Sequence, residues 1–244
     1  MTIGTAKPSE AELNEVKHHL IGHISIHQSY TAGDYEKEVI SSLDKYFEKK
    51  EIAILCGGTG LYIKAVTEGL DQFPTVSTQI RTQVNLDLNE KGLPTLLNEL
   101  KEKDPKYFNE VDPDNHRRVI RAIEVIRASG QPFSSFRKQT PVERSFQVKG
   151  KILVRERALL YERINDRVDK MLESGLLEEV RQLLPYQHLP ALQTVGYQEL
   201  FNYFNGLDSL DSAVAKIKQN SRRYAKRQLT WFRNQTDFPE ILLE

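Results

Sequence analysis

The chain has 244 residues, 39% of them hydrophobic and 28% charged, with 34 Lys and Arg against 34 Asp and Glu. That composition fits a folded globular protein, one large domain or a core with an insert, and excludes a disordered chain. A single cysteine, Cys56, excludes an internal disulfide, and no apolar run approaches the roughly 20 residues of a membrane helix. With no signal-peptide pattern either, a cytoplasmic protein with no membrane association is expected. The zero net charge hides a segregation. Residues 212–236 hold seven basic side chains (Lys216, Lys218, Arg222, Arg223, Lys226, Arg227, Arg233) and no acidic one, leaving 27 basic against 34 acidic elsewhere. A neutral protein with one positive segment points to a polyanion partner.

In chain order, His23–Ile26 alternates like a strand, and residues 31–50 read as a helix with Thr31 as N-cap. Ile52-Ala53-Ile54-Leu55-Cys56 is a continuous apolar run of strand length, the pattern of a strand buried on both faces. It runs into Gly57-Gly58-Thr59-Gly60 and then a helical stretch from Leu61 to Glu68. Strand, glycine turn and helix form the grammar of an α/β sheet, whose ligands sit beyond the carboxyl ends of the strands. After Pro74 the strand signals fade. Residues 77–128 are helical and punctuated by Gly92, Pro94, Pro105 and Pro113, and Gly130, Pro132 and Pro141 mark an exit. Phe146–Val154 reads as a returning strand, and helix predominates from Arg157 to the end. The predicted organisation is an α/β core, residues 1–74 and 143–244, interrupted by a mainly helical insert, residues 75–142.

Several segments can carry chemistry. The glycine turn lets backbone N–H groups approach an anion at a helix N-terminus, and Thr59 adds a hydroxyl. The alternative is a tight connection with Thr59 serving as a cap. The turn is not a P-loop, because no Gly-Lys-Ser/Thr follows at the required spacing. His18, His19, His23 and His27 lack a nearby carboxylate, so no metal site is expected of them. In the helix Asp114–Ser129, Val119, Ile120, Ile123 and Ile126 form an apolar arc, with Arg117, Arg118 and Arg121 on the other side. Those arginines fit either phosphate contact or a solvated face partly neutralised by Asp114 and Glu124. Arg167 lies at the margin of the stripe Leu160, Ile164, Val168 and Met171 with no carboxylate at i±3 or i±4. It suits a diphosphate clamp or a long-range salt bridge. The last helix, about Asp211–Asn234, sets Val214, Ile217, Tyr224 and Trp231 on one side and the basic residues over the opposite arc. Aromatics beside arginines suit splayed-out RNA bases.

Taken together, these stretches resemble the tRNA dimethylallyltransferases (tRNA isopentenyltransferases). The resemblance is carried in order by Ile3-Gly4-Thr5-Ala6-Lys7-Pro8, Gly57-Gly58-Thr59-Gly60-Leu61-Tyr62, and Asn115-His116-Arg117-Arg118-Val119-Ile120-Arg121-Ala122-Ile123-Glu124-Val125. It continues in Leu160-Tyr161-Glu162-Arg163-Ile164-Asn165-Asp166-Arg167-Val168, Val195-Gly196-Tyr197, and Ala225-Lys226-Arg227-Gln228-Leu229-Thr230-Trp231-Phe232-Arg233. It implies a P-loop-NTPase-like parallel sheet core with a helical insert that grips the anticodon stem-loop. The implied reaction moves a dimethylallyl group from dimethylallyl diphosphate to N6 of the adenosine immediately 3′ of the anticodon, assisted by Mg²⁺. By the same resemblance Thr59 and Arg167 are catalytic, and Arg167 holds the diphosphate with Arg223 as a further candidate. Arg81, Arg117, Arg118, Arg121, Gln193, Gly196, Tyr197, Gln198, Lys226, Arg227, Gln228, Trp231 and Arg233 are implied tRNA contacts. The family's P-loop and the aspartate expected to act as general base precede Ile3–Pro8. Both are expected to lie upstream of Met1 together with the Mg²⁺ ligands, so the sheet is expected to be incomplete and the 244 residues weakly active or inactive. A monomer is expected. A noncatalytic RNA-binding remnant and a prenyltransferase of free adenine nucleotides are the alternative functions.

Overall fold

The computed structural model describes residues 1–137 and 140–243. Its helices and strands run α1 (Glu10–Glu15), α2 (Ala32–Phe47), α3 (Gly60–Thr67), α4 (Thr78–Lys91), α5 (Leu93–Lys103), α6 (Pro105–Glu110), α7 (His116–Ser129), β1 (Ile152–Arg155), α8 (Arg157–Glu173), α9 (Leu176–Leu183), α10 (Tyr197–Phe204), α11 (Leu210–Gln235) and β2 (Glu240–Leu243). The chain divides into two compact units, Met1–Val66 with Phe146–Glu244, and Thr67–Ser145. The division falls a few residues outside the predicted insert, 75–142. Its flanks belong to the insert's own packing: Phe73 stacks on Phe133 with ring centroids 4.8 Å apart, and the Val142 N–H donates to the Glu68 carbonyl.

The unit Thr67–Ser145 is built on α7. Val119, Ala122, Ile123, Val125 and Ile126 repeat at helical spacing and are all buried, which selects this face for the core. They meet Val84 of α4, Leu96 and Leu100 of α5, Tyr107 of α6, and Phe133. Asn115 caps α7 by accepting from the Arg118 N–H, so the helix starts one residue after that cap rather than at Asp114. One charged group is drawn into this packing. Arg127 donates to both oxygens of Glu99 (3.0 and 2.5 Å) and to Asp87 (2.6 Å), which also takes Lys91. Hydrogen bonds from Lys91 and Arg127 hold the Asp87 carboxyl down to about 2.

In the other unit, α8 to α11 enclose Val168, Leu176, Val180, Leu192, Tyr197, Leu200, Phe201, Ala213 and Ile217. Helix α11 packs on α8 and α10. Strands β1 and β2 pair in parallel, Ile152 opposite Glu240 through Arg155 opposite Leu243, with the four helices forming the crossover. The sequence pattern misses β2, placing helix in its stead; Thr236–Pro239 breaks the helix, and the following four residues extend onto β1. Of the returning strand expected over Phe146–Val154, the ladder takes only the last three residues and runs one further, to Arg155.

Two predicted strands do not form. Residues 23–26 are turns and bends, and 52–56 run without a ladder partner among the described residues. Ile52 and Ile54 are 76% and 86% exposed, the reverse of a strand buried on both faces. Apolar runs become strands only where neighbouring strands take up their N–H and C=O groups, and β1–β2 is the sole strand pairing among the described residues. The α/β class holds, with helix in the majority.

Candidate functional site

The glycine turn and the basic helix are built into one another. A Cβ at Gly60 would fall inside contact distance of the Trp231 ring, and one at Gly58 would meet the Gln228 amide. Close approach to α11 therefore demands glycine at 60, on the same face that buries Ile217, whereas at 58 the end of the Gln228 side chain can give way. Thr59, between them, is exposed. Its carbonyl accepts from the Tyr62 and Ile63 N–H groups (2.9 and 3.2 Å), opening α3, while its hydroxyl makes no hydrogen bond among the described residues. Thr59 thus takes the cap position of α3 through its carbonyl and leaves its hydroxyl available. Tyr62, one turn on, stacks on Tyr35 of α2 (4.7 Å).

The seven basic residues of α11 are not equivalent. Lys216 pairs with Asp208, Lys218 with Asp169 of α8, and Arg233 with Glu240 of β2, at 2.5, 2.6 and 2.5 Å. Arg222 donates to Asn165 (2.6 Å) and lies over the Tyr161 ring, which Arg157 also approaches. Arg223 reaches only the neutral Asn220 (3.5 Å), and Arg227 lies against Tyr224, 42% exposed. Arg223, Lys226 and Arg227 have no carboxylate partner among the described residues. With Arg222, which bonds only the neutral Asn165, the uncompensated charge of the helix contracts to four of the seven. Arg167 of α8 is exposed and makes no hydrogen bond or ion pair among the described residues, so of its two readings the long-range salt bridge does not form among them.

A second assembly fixes Ile3–Pro8. The Glu179 carboxylate of α9 accepts from the N–H groups of Thr2, Ile3 and Gly4 (2.7, 3.0 and 3.1 Å) and from the Tyr197 hydroxyl (2.6 Å). The Tyr197 ring lies 2.6 Å from where a Cβ on Gly4 would sit, so only glycine fits. Burial pushes the Glu179 carboxyl up, but the four hydrogen bonds outweigh it and hold it below its ordinary value. Burial, then the bond to Glu179, pushes the Tyr197 phenol up. Gly196 and Tyr197, expected at an RNA surface, are buried; their neighbours Gln193 and Gln198 are exposed and bonded to each other (2.7 Å). The Glu199 carboxylate, also buried, joins the Gly196 N–H (2.8 Å) to Asn220 of α11 (2.7 Å).

On the insert, Arg117, Arg118 and Arg121 line a cavity of about 530 Å³ with Arg137, Phe73, Tyr107 and Phe133. Arg121 reaches Glu124 (3.4 Å), whereas Arg117 and Arg118 are exposed and without a carboxylate partner among the described residues. Arg81 on α4 is likewise exposed. The aromatic floor and Arg137 escaped the sequence reading, since their positions in 73–137 share no periodicity. Glu179 and Glu199 also escaped it, being indistinguishable from solvated helix carboxylates.

Among the described residues no three His, Cys, Asp or Glu side chains gather to hold a metal ion. His23 instead meets Glu38 (3.3 Å) and the edge of Tyr30, and His27 packs on Tyr186. No helix among the described residues is long and apolar enough to cross a membrane.

The glycine turn locked to α11, the Ile3–Pro8 turn locked to α9 and Tyr197, and the arginine edge of α7 are the same stretches that carried the resemblance, and known proteins agree with it. The family model described as IPP transferase matches residues 1–235. A tRNA dimethylallyltransferase of Christiangramia forsetii is 48% identical over 241 residues, covering 99% of this chain and 79% of its own length. The solved tRNA isopentenylpyrophosphate transferase of Bacillus halodurans superposes with a TM-score of 0.67 at 34% identity, over 98% of this chain and 76% of that one. A eukaryotic dimethylallyltransferase acting on tRNA, 23% identical, shares the fold with a TM-score of 0.80, over 98% of this chain and 63% of its own. On these grounds the chain belongs to the IPP transferase family.

Proposed function

We propose that this protein transfers a dimethylallyl group from dimethylallyl diphosphate to N6 of the adenosine immediately 3′ of a tRNA anticodon. The observation that carries the reading is the closure of the Gly57–Gly60 turn on Gln228 and Trp231 of α11, the helix that also carries Arg223, Lys226 and Arg227 without a carboxylate partner among the described residues. It sets an unengaged hydroxyl and backbone N–H groups of a helix start against an aromatic ring of the basic helix. The N6 lone pair is delocalised into the purine, so the reaction needs alignment, a proton acceptor and stabilisation of the departing diphosphate. As the C1–O bond to diphosphate breaks, the C1–N6 bond forms and N6 loses a proton. Thr59 is proposed to orient the base and Arg167 to take the leaving diphosphate, with Arg223 in support. Arg81, Arg117, Arg118, Arg121, Gln193, Gln198, Lys226, Arg227, Gln228, Trp231 and Arg233 are proposed to meet the RNA.

The described side chains do not by themselves fit a Mg²⁺ site. The proposal that Mg²⁺ accompanies the substrate therefore places its donors chiefly on the diphosphate and water. The 244-residue polypeptide is proposed to bind a stem-loop and to turn over weakly, in the cytoplasm.

The test offers labelled dimethylallyl diphosphate together with an anticodon hairpin carrying adenosine or guanosine 3′ of the anticodon. Label entering only the adenosine hairpin supports the reading. Label entering a free adenine nucleotide in preference to the hairpin would replace it, and robust turnover by the 244 residues would remove the claim of weak activity.

A further inference from the structure

We propose that the cavity on the insert is a subsite for one unpaired RNA nucleotide other than the one that reacts, its base stacked on guanidinium–aromatic pairs and its phosphate held by Arg117 and Arg118. The inference rests on the tRNA reading above and adds a second, separately testable point of grip. The cavity offers about 530 Å³ and is open to solvent on one side, as a site for a nucleotide on a continuous strand must be. Arg137 lies over the Tyr107 ring, 5.1 Å from its centroid, and Arg121 over Phe73 at 5.8 Å. Guanidinium groups set over aromatic rings are surfaces on which splayed-out bases lie in single-stranded RNA recognition.

Arg137 is also held by Glu110 (2.5 Å), which fixes its plane. Arg117 and Arg118 line the same cavity without a carboxylate partner among the described residues, and that leaves them available to a phosphate. The wall is not uniformly positive, because Asp71 and Glu110 also line it.

The experiment measures binding of the 244-residue protein to anticodon hairpins in which one loop nucleotide at a time is abasic, using the parent, Arg137→Ala and Arg137→Lys. Lysine keeps the charge and removes the plane, and circular dichroism melting confirms that both variants fold. Arg137→Ala is expected to weaken the intact hairpin about tenfold. One abasic position, distinct from the acceptor adenosine, is expected to cost the parent about the same factor and to cost Arg137→Ala nothing more. Arg137→Lys is expected to resemble Arg137→Ala. Equal losses in parent and Arg137→Ala at every abasic position would overturn the subsite, and full affinity of Arg137→Lys would overturn the stacking. A parent that binds no hairpin at all would remove the tRNA reading and this inference with it.

Discussion

Replacing Glu179 by alanine should loosen the N-terminal turn, and the size of the effect follows from the groups it satisfies. Glu179 accepts four hydrogen bonds, three from backbone N–H groups at 2.7–3.1 Å and one from Tyr197 at 2.6 Å. Thr2 is exposed and can turn to water, whereas Tyr197 is fully buried and its hydroxyl would be orphaned. An orphaned buried donor costs about 1–3 kcal/mol, and charge-assisted bonds to partly buried N–H groups add about 1–2. Allowing for partial solvent access, Glu179→Ala should cost about 3 kcal/mol. Tyr197→Phe leaves the three N–H bonds intact and should cost about 1 kcal/mol. Because phenylalanine has no hydroxyl to strand, the double variant should cost about 2, less than the sum of the singles. Urea unfolding of the parent, both singles and the double gives the four values. A loss below about 0.5 kcal/mol for Glu179→Ala, or strict additivity in the cycle, would refute the anchoring role.

The same pair sets a pH window. Glu179 is held below its ordinary 4.5, so its stabilisation is present above that value and is lost as pH falls through the folded pKa. The Tyr197 phenol is raised above 10.0, so its share is present below that pH and fades as pH rises toward the folded value; melting temperature against pH should show both edges, and Glu179→Ala should blunt the acid one. Gly60→Ala should shift the fluorescence of Trp231, the protein's single tryptophan, and reduce dimethylallyl transfer at least tenfold, whereas Gly58→Ala, which meets only the movable end of Gln228, should do so less; equal effects would argue against ring contact as the cause. Arg227→Ala should weaken hairpin binding and lower its salt slope by about one, while Lys216→Ala, already neutralised by Asp208, should change neither; equal slopes would count against the assignment. Arg167→Ala should raise KM for the diphosphate more than Kd for the hairpin, measured by transfer kinetics and titration.

What was legible in the sequence is what repeats or punctuates. The period of Val119, Ile123 and Ile126 gave α7 its face, and Thr31 marked the start of α2, capping it with Asp34. Gly57–Gly60 marked a turn, although its reason, the approach of Trp231 and Gln228 from a helix about 170 residues later, is a tertiary fact that spacing cannot carry. For the same reason Ile52–Cys56 misled. A run of apolar residues reports preference for burial, and whether it becomes a strand depends on neighbours supplied elsewhere. Charge misled in a subtler way. Seven cations in one helix are visible at once, but Asp208, Asp169 and Glu240, which neutralise three of them, lie in other elements. The carboxylates that matter most, Glu179 and Glu199, carry no pattern, because their partners are backbone groups distant in sequence.

The division of the chain has a consequence for how it is made. Thr67–Ser145 is continuous, and its core joins residues close in sequence, so it can complete itself while the ribosome is still synthesising α8. The other unit is stitched from both ends: Thr2, Ile3 and Gly4 wait for Glu179, and the glycine turn waits for Gln228 and Trp231. Until α9 to α11 have emerged, the early segment has no surface to settle on. The insert is thus placed to fold first, and the unit carrying the glycine turn is completed last, when its two ends meet.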